Sequence, residues 1–327
     1  MSTLTRPAVD TTDAPAKPRR LRGLAWLMAR QHRVPLLFWL AVTVLGSLWI
    51  AYQRGTMLDN MHAAGWPGTS ADAIDPALRE RTGNTFNDIA GYAVGLPLLL
   101  GIFLAAPLIS ADHEQGTARL VTTQSVTRMR WLRWKLGFAF GLAAVTTAVL
   151  GAMLTWYWHA ARPFVSTDWY DDSVLTTTGP MLVAMAFFTM ALGLAIGALV
   201  RRAVTAMTLT FFGASAFVIF FDYLKPYLAT PRRIAFPLHA EHPPVPNGAH
   251  QLDQWVGTAS GKLYGYGTCV HADADACRAQ KGIVNSVWEY FGYDQMATLQ
   301  WTAAAVLFMA SALLVALVLW RTRRRAL

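Results

Sequence analysis

The sequence predicts an all-α integral membrane protein with six transmembrane helices, and three observations carry that prediction. Hydrophobic residues make up 54% of the 327-residue chain and charged residues 14%, well below the roughly 25% charge of soluble domains. The apolar residues gather in runs long enough to cross a ~30 Å hydrocarbon core, which takes about 20 helical residues. Arg and Lys cluster at the ends of those runs, as orientation in a membrane requires. The formal net charge of +9 belongs to that clustering. No basic face is interleaved with aromatics, so nucleic acid is not an expected partner. The lipid bilayer is.

Residues 1–20 are polar, rich in Pro, Thr and Ala, and lack the apolar core of a signal peptide. They are expected to form a disordered tail, with 21–327 as one six-helix membrane domain. Residues 21–33, LRGLAWLMARQHR, are too short and too charged to cross, and fit a helix lying in the headgroup plane. The first crossing is about 34–52, with Trp49 and Tyr52 as aromatic anchors at its far end. A polar loop follows, in which Asp75-Pro76 pairs a good N-cap with the residue favoured at the first helical position. The second crossing is about 90–110. The third, about 135–158, ends in Trp156, Tyr157 and Trp158.

Residues 178–224 are too long for one crossing and are interrupted by Arg201-Arg202. Burying those two at mid-membrane would cost roughly 2.5–3.5 kcal/mol each, so the run splits into crossings at 179–200 and 203–224 joined by a tight basic turn. Residues 225–297 form a large extracytoplasmic region with six prolines, from Pro226 to Pro246. Its last, semi-apolar stretch, 283–293, is expected to be a helix dipping into the outer interface. The sixth crossing is about 298–320, closed by Arg321, Arg323, Arg324 and Arg325.

Six crossings put both termini on one side, and the segments there hold most of the Arg and Lys. The positive-inside rule makes that side cytoplasmic. Cys269 and Cys277 then lie outside, where a disulfide between them would persist; two free thiols are the alternative. Gly pairs four residues apart recur in three spans, at 91/95, 137/141 and 193/197, and predict close helix packing, within the chain before a dimer seam. Phe187, Phe188, Phe211 and Phe212 are candidates to line a path for an apolar substrate, with ordinary packing as the alternative. The histidines of the outer region, His239, His242, His250 and His271, lack metal-ligand spacing, and no metal site is expected.

The spans hold almost no ionisable groups, so neither proton coupling nor intramembrane chemistry is indicated. The charged chemistry lies instead in the loop 111–134. Asp112 and Glu114 close the second span and Gly116-Thr117 follow. Ser125 or Thr127 can cap the next helix, and Arg128, Trp131 and Lys135 share a face of it.

This loop resembles the first cytoplasmic loop of ABC-2-type transporter permeases, where a Glu-x-Gly-Thr segment precedes a Ser/Thr-Arg step and a Lys entering the third span. The matching residues are Glu114, Gly116, Thr117, Ser125, Thr127, Arg128 and Lys135, and the string TQSVTRMRW is similar to that of actinobacterial members. The resemblance implies a multi-pass subunit of a bacterial plasma membrane that is not itself an enzyme and binds no cofactor. ATP and Mg²⁺ would sit on a separate cytoplasmic ABC ATPase docked on a coupling helix at 110–124, with Asp112, Glu114, Gly116, Thr117, Ser125 and Arg128 as coupling residues. The chain agrees in having no G-x-x-x-x-G-K-[ST] phosphate loop. The family pairs as dimers, so a second copy or a related permease is implied, exporting an amphipathic or apolar substrate such as a drug, antibiotic or lipid. Two other readings stay open. One is an intramembrane or outer-face lipid-modifying enzyme using Asp168, Asp171, His239 and His242; the other is a non-transporting membrane partner of an ABC ATPase.

Overall fold

The computed structural model describes residues 30, 32–114, 127–240, 244–270 and 273–324. The expected tail and most of the expected interfacial helix lie outside these residues. Six helices among them are long and apolar enough to cross a membrane: Arg33–Ala63, Pro76–Ala111, Met129–Ala161, Met181–Leu199, Ala203–Tyr227 and Tyr293–Arg323. Each contains or overlaps one expected crossing. The split at Arg201-Arg202 falls where the charge cost demanded it, with both arginines exposed between the fourth and fifth helices.

Helix α1 (Arg33–Ala63) does not stop at its aromatic anchors but continues beyond them, burying Met57 and Met61 against the rest of the chain. Helix α2 (Pro76–Leu99) starts as predicted: the Asp75 carboxylate accepts the Ala77 N–H at 3.0 Å and Pro76 fills the first position. Pro97 has no N–H to donate, and just past it the ladder widens into a π segment, Leu100–Ala105, before α3 (Ala106–Glu114). The Thr189 hydroxyl donates to the Pro97 carbonyl at 2.5 Å, so a neighbouring helix bonds to the backbone beside the irregularity.

Helix α4 (Arg128–Ala161) is the third crossing, and the short α5 (Asp172–Leu175) leads to α6 (Met181–Leu199), the fourth. Helix α6 lies at the centre of the bundle, with Met181, Leu182, Met190 and Leu194 almost wholly buried. Gly193 and Gly197 are why it can pack so closely. A Cβ on Gly193 would lie 2.6 Å from the Gly101 carbonyl oxygen, and one on Gly197 would lie 2.4 Å from that of Ala106. The other two glycine pairs depart from expectation: a Cβ on Gly91, Gly95, Gly137 or Gly141 would meet nothing within 4 Å. Those faces of α2 and α4 are not used for packing among the described residues. Helix α7 (Ala203–Leu224) flanks α6.

The region before the last helix folds differently from expectation. Strands β1 (Arg232–Pro237), β2 (His250–Thr258), β3 (Leu263–Gly265) and β4 (Ile283–Phe291) form an antiparallel sheet in the order β1-β4-β2-β3. The stretch expected to be an interfacial helix is thus the central strand β4. Its β-branched and aromatic residues (Ile283, Val284, Val287, Trp288, Tyr290, Phe291) suit a strand. Gly282, at φ 65°, also ends the preceding helix α8 (Ala274–Lys281) in a left-handed cap. A disulfide joins Cys269 to Cys277 on α8, with Cα atoms 5.7 Å apart. From the sheet the chain enters α9 (Met296–Arg324), the sixth crossing.

Two anchors fix the sheet end of the bundle. Phe291 is fully buried with Trp169, Tyr170 and Leu299. The Gln300 side-chain amide donates to the carbonyls of Leu175 and Thr178 and to the Thr178 hydroxyl, at 2.9–3.2 Å. The Gln300 side chain also fills the space beside Gly179, where φ is 57° and a Cβ would clash at 2.6 Å.

Candidate functional site

The face opposite the sheet is where α3 ends, α4 begins and α6 turns into α7. The turn from α6 to α7 leaves the first amides of α7 without intrahelical partners. The Glu114 carboxylate, at the last described residue of α3, accepts the Ala203 N–H at 2.9 Å. A negative side chain at a helix N-terminus also interacts favourably with the helix dipole. Glu114 therefore belongs to two helices at once.

On the other side of the loop, the Thr127 hydroxyl accepts the Arg130 N–H at 3.4 Å and caps α4. About two turns into α4, Lys135 is only 2% exposed. Its ammonium donates to the Leu108 carbonyl at 3.2 Å and sits 4.0 Å from the centre of the Trp131 ring. A buried ammonium is tolerable only when partnered, and these contacts tie the root of α4 to α3. Trp131 and Lys135 thus meet as the helical spacing required. Gly116, Thr117 and Ser125, and the side chains of Asp112 and Arg128, lie outside what the structure describes; the backbones of Asp112 and Arg128 are in α3 and at the first turn of α4.

The four path phenylalanines do not share one surface. Phe187 packs edge-on against Phe140 and Phe308, and Phe188 lies 4.0 Å from Phe217. Phe211 and Phe212 are exposed on α7. A narrow cleft of about 40 Å³ lies nearby, between α2, α6 and α7, lined by Val94, Pro97, Leu182, Met185, Thr189, Ala214, Phe217 and Phe221. Asp172 and Asp222 line its polar part. Lys225 bridges those two carboxylates, at 2.6 Å and 2.9 Å. These three charges were not among the expected site residues. The signal was there in Asp222-x-x-Lys225, the three-residue spacing that pairs charges on a helix.

At the sheet end, Asp168 and Asp171 do not converge with His239, while His242 is outside the described residues. Asp168 instead bonds His250 Nδ1 at 2.6 Å, and the His250 ring stacks on Tyr170 with centroids 4.3 Å apart. Burial pulls the Asp168 carboxyl upward, but the bond to His250, the Tyr170 N–H and the charge of His250 together outweigh it and hold it below the usual range. Burial, reinforced by the carboxylates of Asp222 and Asp172, pushes the Tyr170 hydroxyl up to about 12. Among the described residues no three His, Cys, Asp or Glu side chains group to hold a metal.

Six helices long and apolar enough to cross a membrane, with Glu114 and Lys135 each bonded to a neighbouring helix at the two ends of the stretch between the second and third, mark a multi-pass membrane protein. The chain belongs to the family described as ABC-2 membrane transporter related, whose family model matches residues 40–225. The match takes in the first five crossings and the loop, and ends before the sheet. Comparison with curated proteins and with solved structures gave no match. Members of this family are typically membrane subunits that pair with a cytoplasmic ABC ATPase.

Proposed function

We propose that this chain is the membrane subunit of an ABC exporter, with both termini cytoplasmic in a bacterial plasma membrane. A separate ATPase holds ATP and Mg²⁺ and docks on residues 110–124. The observation that carries the proposal is the bond from Ala203 N–H to the Glu114 carboxylate. A push on the docking segment is delivered at once to α3 and to the first turn of α7. Helix α7 forms one wall of the cleft against α2 and α6. Its displacement widens a space now far below the roughly 300 Å³ of a small-molecule pocket.

The apolar walls and the paired charges of Asp172, Asp222 and Lys225 favour an amphipathic passenger such as a drug, antibiotic or lipid. The uncovered glycine faces of α2 and α4 favour assembly with a second copy or a related permease. The test is reconstitution of the chain in proteoliposomes with a phosphate-loop ATPase that co-purifies with it. ATP-dependent accumulation of an amphipathic dye is expected. Binding and stimulation of the ATPase without accumulation would instead make the chain a non-transporting partner.

A further inference from the structure

Beyond the aromatic anchors at the sheet end, α1 and α2 do not close on each other but flank a cleft of about 250 Å³. Helix α1 contributes Gln53, Thr56, Met57 and Asn60; α2 contributes Leu78, Arg81, Thr82 and Thr85. Both sets follow the i, i+3, i+4, i+7 spacing of one helix face, so two polar faces look at each other across open space. Tyr157 of α4 completes the lining; its side chain is fully buried and its hydroxyl has no hydrogen-bond partner among the described residues. Buried hydroxyls are normally partnered, and an unfilled one beside a cleft points to a ligand atom. Arg81 is the one charged side chain in the lining and forms no ion pair among the described residues. No carboxylate lines the cleft.

The position of the cleft selects the ligand further. Trp49 and Tyr92, with ring centroids 5.9 Å apart, lie on the same two helices toward the membrane centre, and Trp156, under the Arg54 guanidinium at 3.7 Å, adjoins Tyr157. Such aromatics settle at headgroup level. Leu45, Leu48 and Tyr52 of α1 are exposed alongside, an apolar face on which acyl chains can lie.

We propose that this cleft binds the phosphate of an anionic phospholipid headgroup, paired with the Arg81 guanidinium, with the Tyr157 hydroxyl and the Gln53 and Asn60 amides donating to its oxygens. An arginine fork matches phosphate geometry, and the amides and threonines suit the hydroxyls of a glycerol headgroup. The proposal does not depend on transport.

The test presents the purified full-length chain in detergent with equal amounts of phosphatidylglycerol and phosphatidylcholine and reads bound lipid by native mass spectrometry. Preferential retention of phosphatidylglycerol is expected. Loss of one charge-assisted contact corresponds to about tenfold or more, so Arg81→Gln is expected to abolish most of the preference and Arg81→Lys to keep part of it. Tyr157→Phe removes only the hydroxyl and is expected to lower retention about threefold or more, the scale of one neutral hydrogen bond. Equal retention of both lipids, or a preference unchanged in Tyr157→Phe and Arg81→Gln, overturns the proposal. If excess glycerol phosphate displaces the lipid and raises the melting temperature as much as phosphatidylglycerol does, the ligand is a soluble phosphate and the lipid assignment falls.

Discussion

The Glu114 carboxylate caps the amide of Ala203 across 89 positions of sequence, joining the end of the second crossing to the start of the fifth. The contact is local in space and would be silent in a scan for motifs. It gives the glutamate of the Glu-x-Gly-Thr segment a structural role inside the membrane subunit.

Glu114→Ala is expected to cost about 1 kcal/mol of stability, the usual scale for a lost N-cap, and to uncouple ATP hydrolysis from transport. Glu114→Gln keeps an acceptor oxygen and should retain most of the stability. Measuring melting temperature and permease-stimulated ATPase rate on the same preparations separates the two effects. Full stimulation by Glu114→Ala would show that the cap transmits nothing.

The glycines divide into two groups that respond oppositely. Gly197→Ala would push a methyl to 2.4 Å from the Ala106 carbonyl oxygen, and overpacking of that kind costs about 1–3 kcal/mol. Gly137→Ala meets open space and replaces a poor helix former by the best one, a change worth up to about 1 kcal/mol in the helix's favour. Melting of the two variants in one detergent checks the contrast. If the open faces form a seam between copies, Gly137→Leu should weaken dimers without lowering the melting temperature of the monomer.

The sheet is latched to the bundle partly by Asp168 and His250, and that latch is sensitive to acid. The Asp168 carboxyl ionises more readily folded than in the ordinary range, so its contribution is present above the unfolded value of about 3.9. It is lost as pH falls through the lower, folded value. Protection of β2 amides against hydrogen exchange, measured relative to the intrinsic rate at each pH, is therefore expected to fall below about pH 4, and Asp168→Asn should show lower protection already at neutral pH. A pH-independent protection factor in the unmodified chain would mean that the aromatic stack on Tyr170 holds the sheet alone.

Much of the bundle could be read from residue types. Arg201-Arg202 divided a long apolar run correctly because charge at mid-membrane is expensive wherever it occurs, and Asp75-Pro76 started α2 because capping is local. The sheet was not legible for an equally physical reason. A nine-residue run such as IVNSVWEYF is too short for its period to separate a strand from a helix. Its pairing partners in β1 and β2 lie dozens of residues away. The Gly282 cap and the β-branched content were the available clues. At the loop, the residue types identified Glu114 and Lys135, but what each touches, Ala203 and Leu108, is set by how the helices pack.

The widened turn from Leu100 to Ala105 changes what the second crossing can do mechanically. A π stretch accommodates an extra residue in the helical ladder, and one residue corresponds to about 100° of rotation around an α-helix. The facing of the upper half, which carries Val94 and Pro97 at the cleft, is thereby offset from that of the lower half, which carries Glu114. Tightening or relaxing that one turn would swing the two ends against each other like the halves of a crankshaft, with no helix breaking and no backbone bond left bare to lipid.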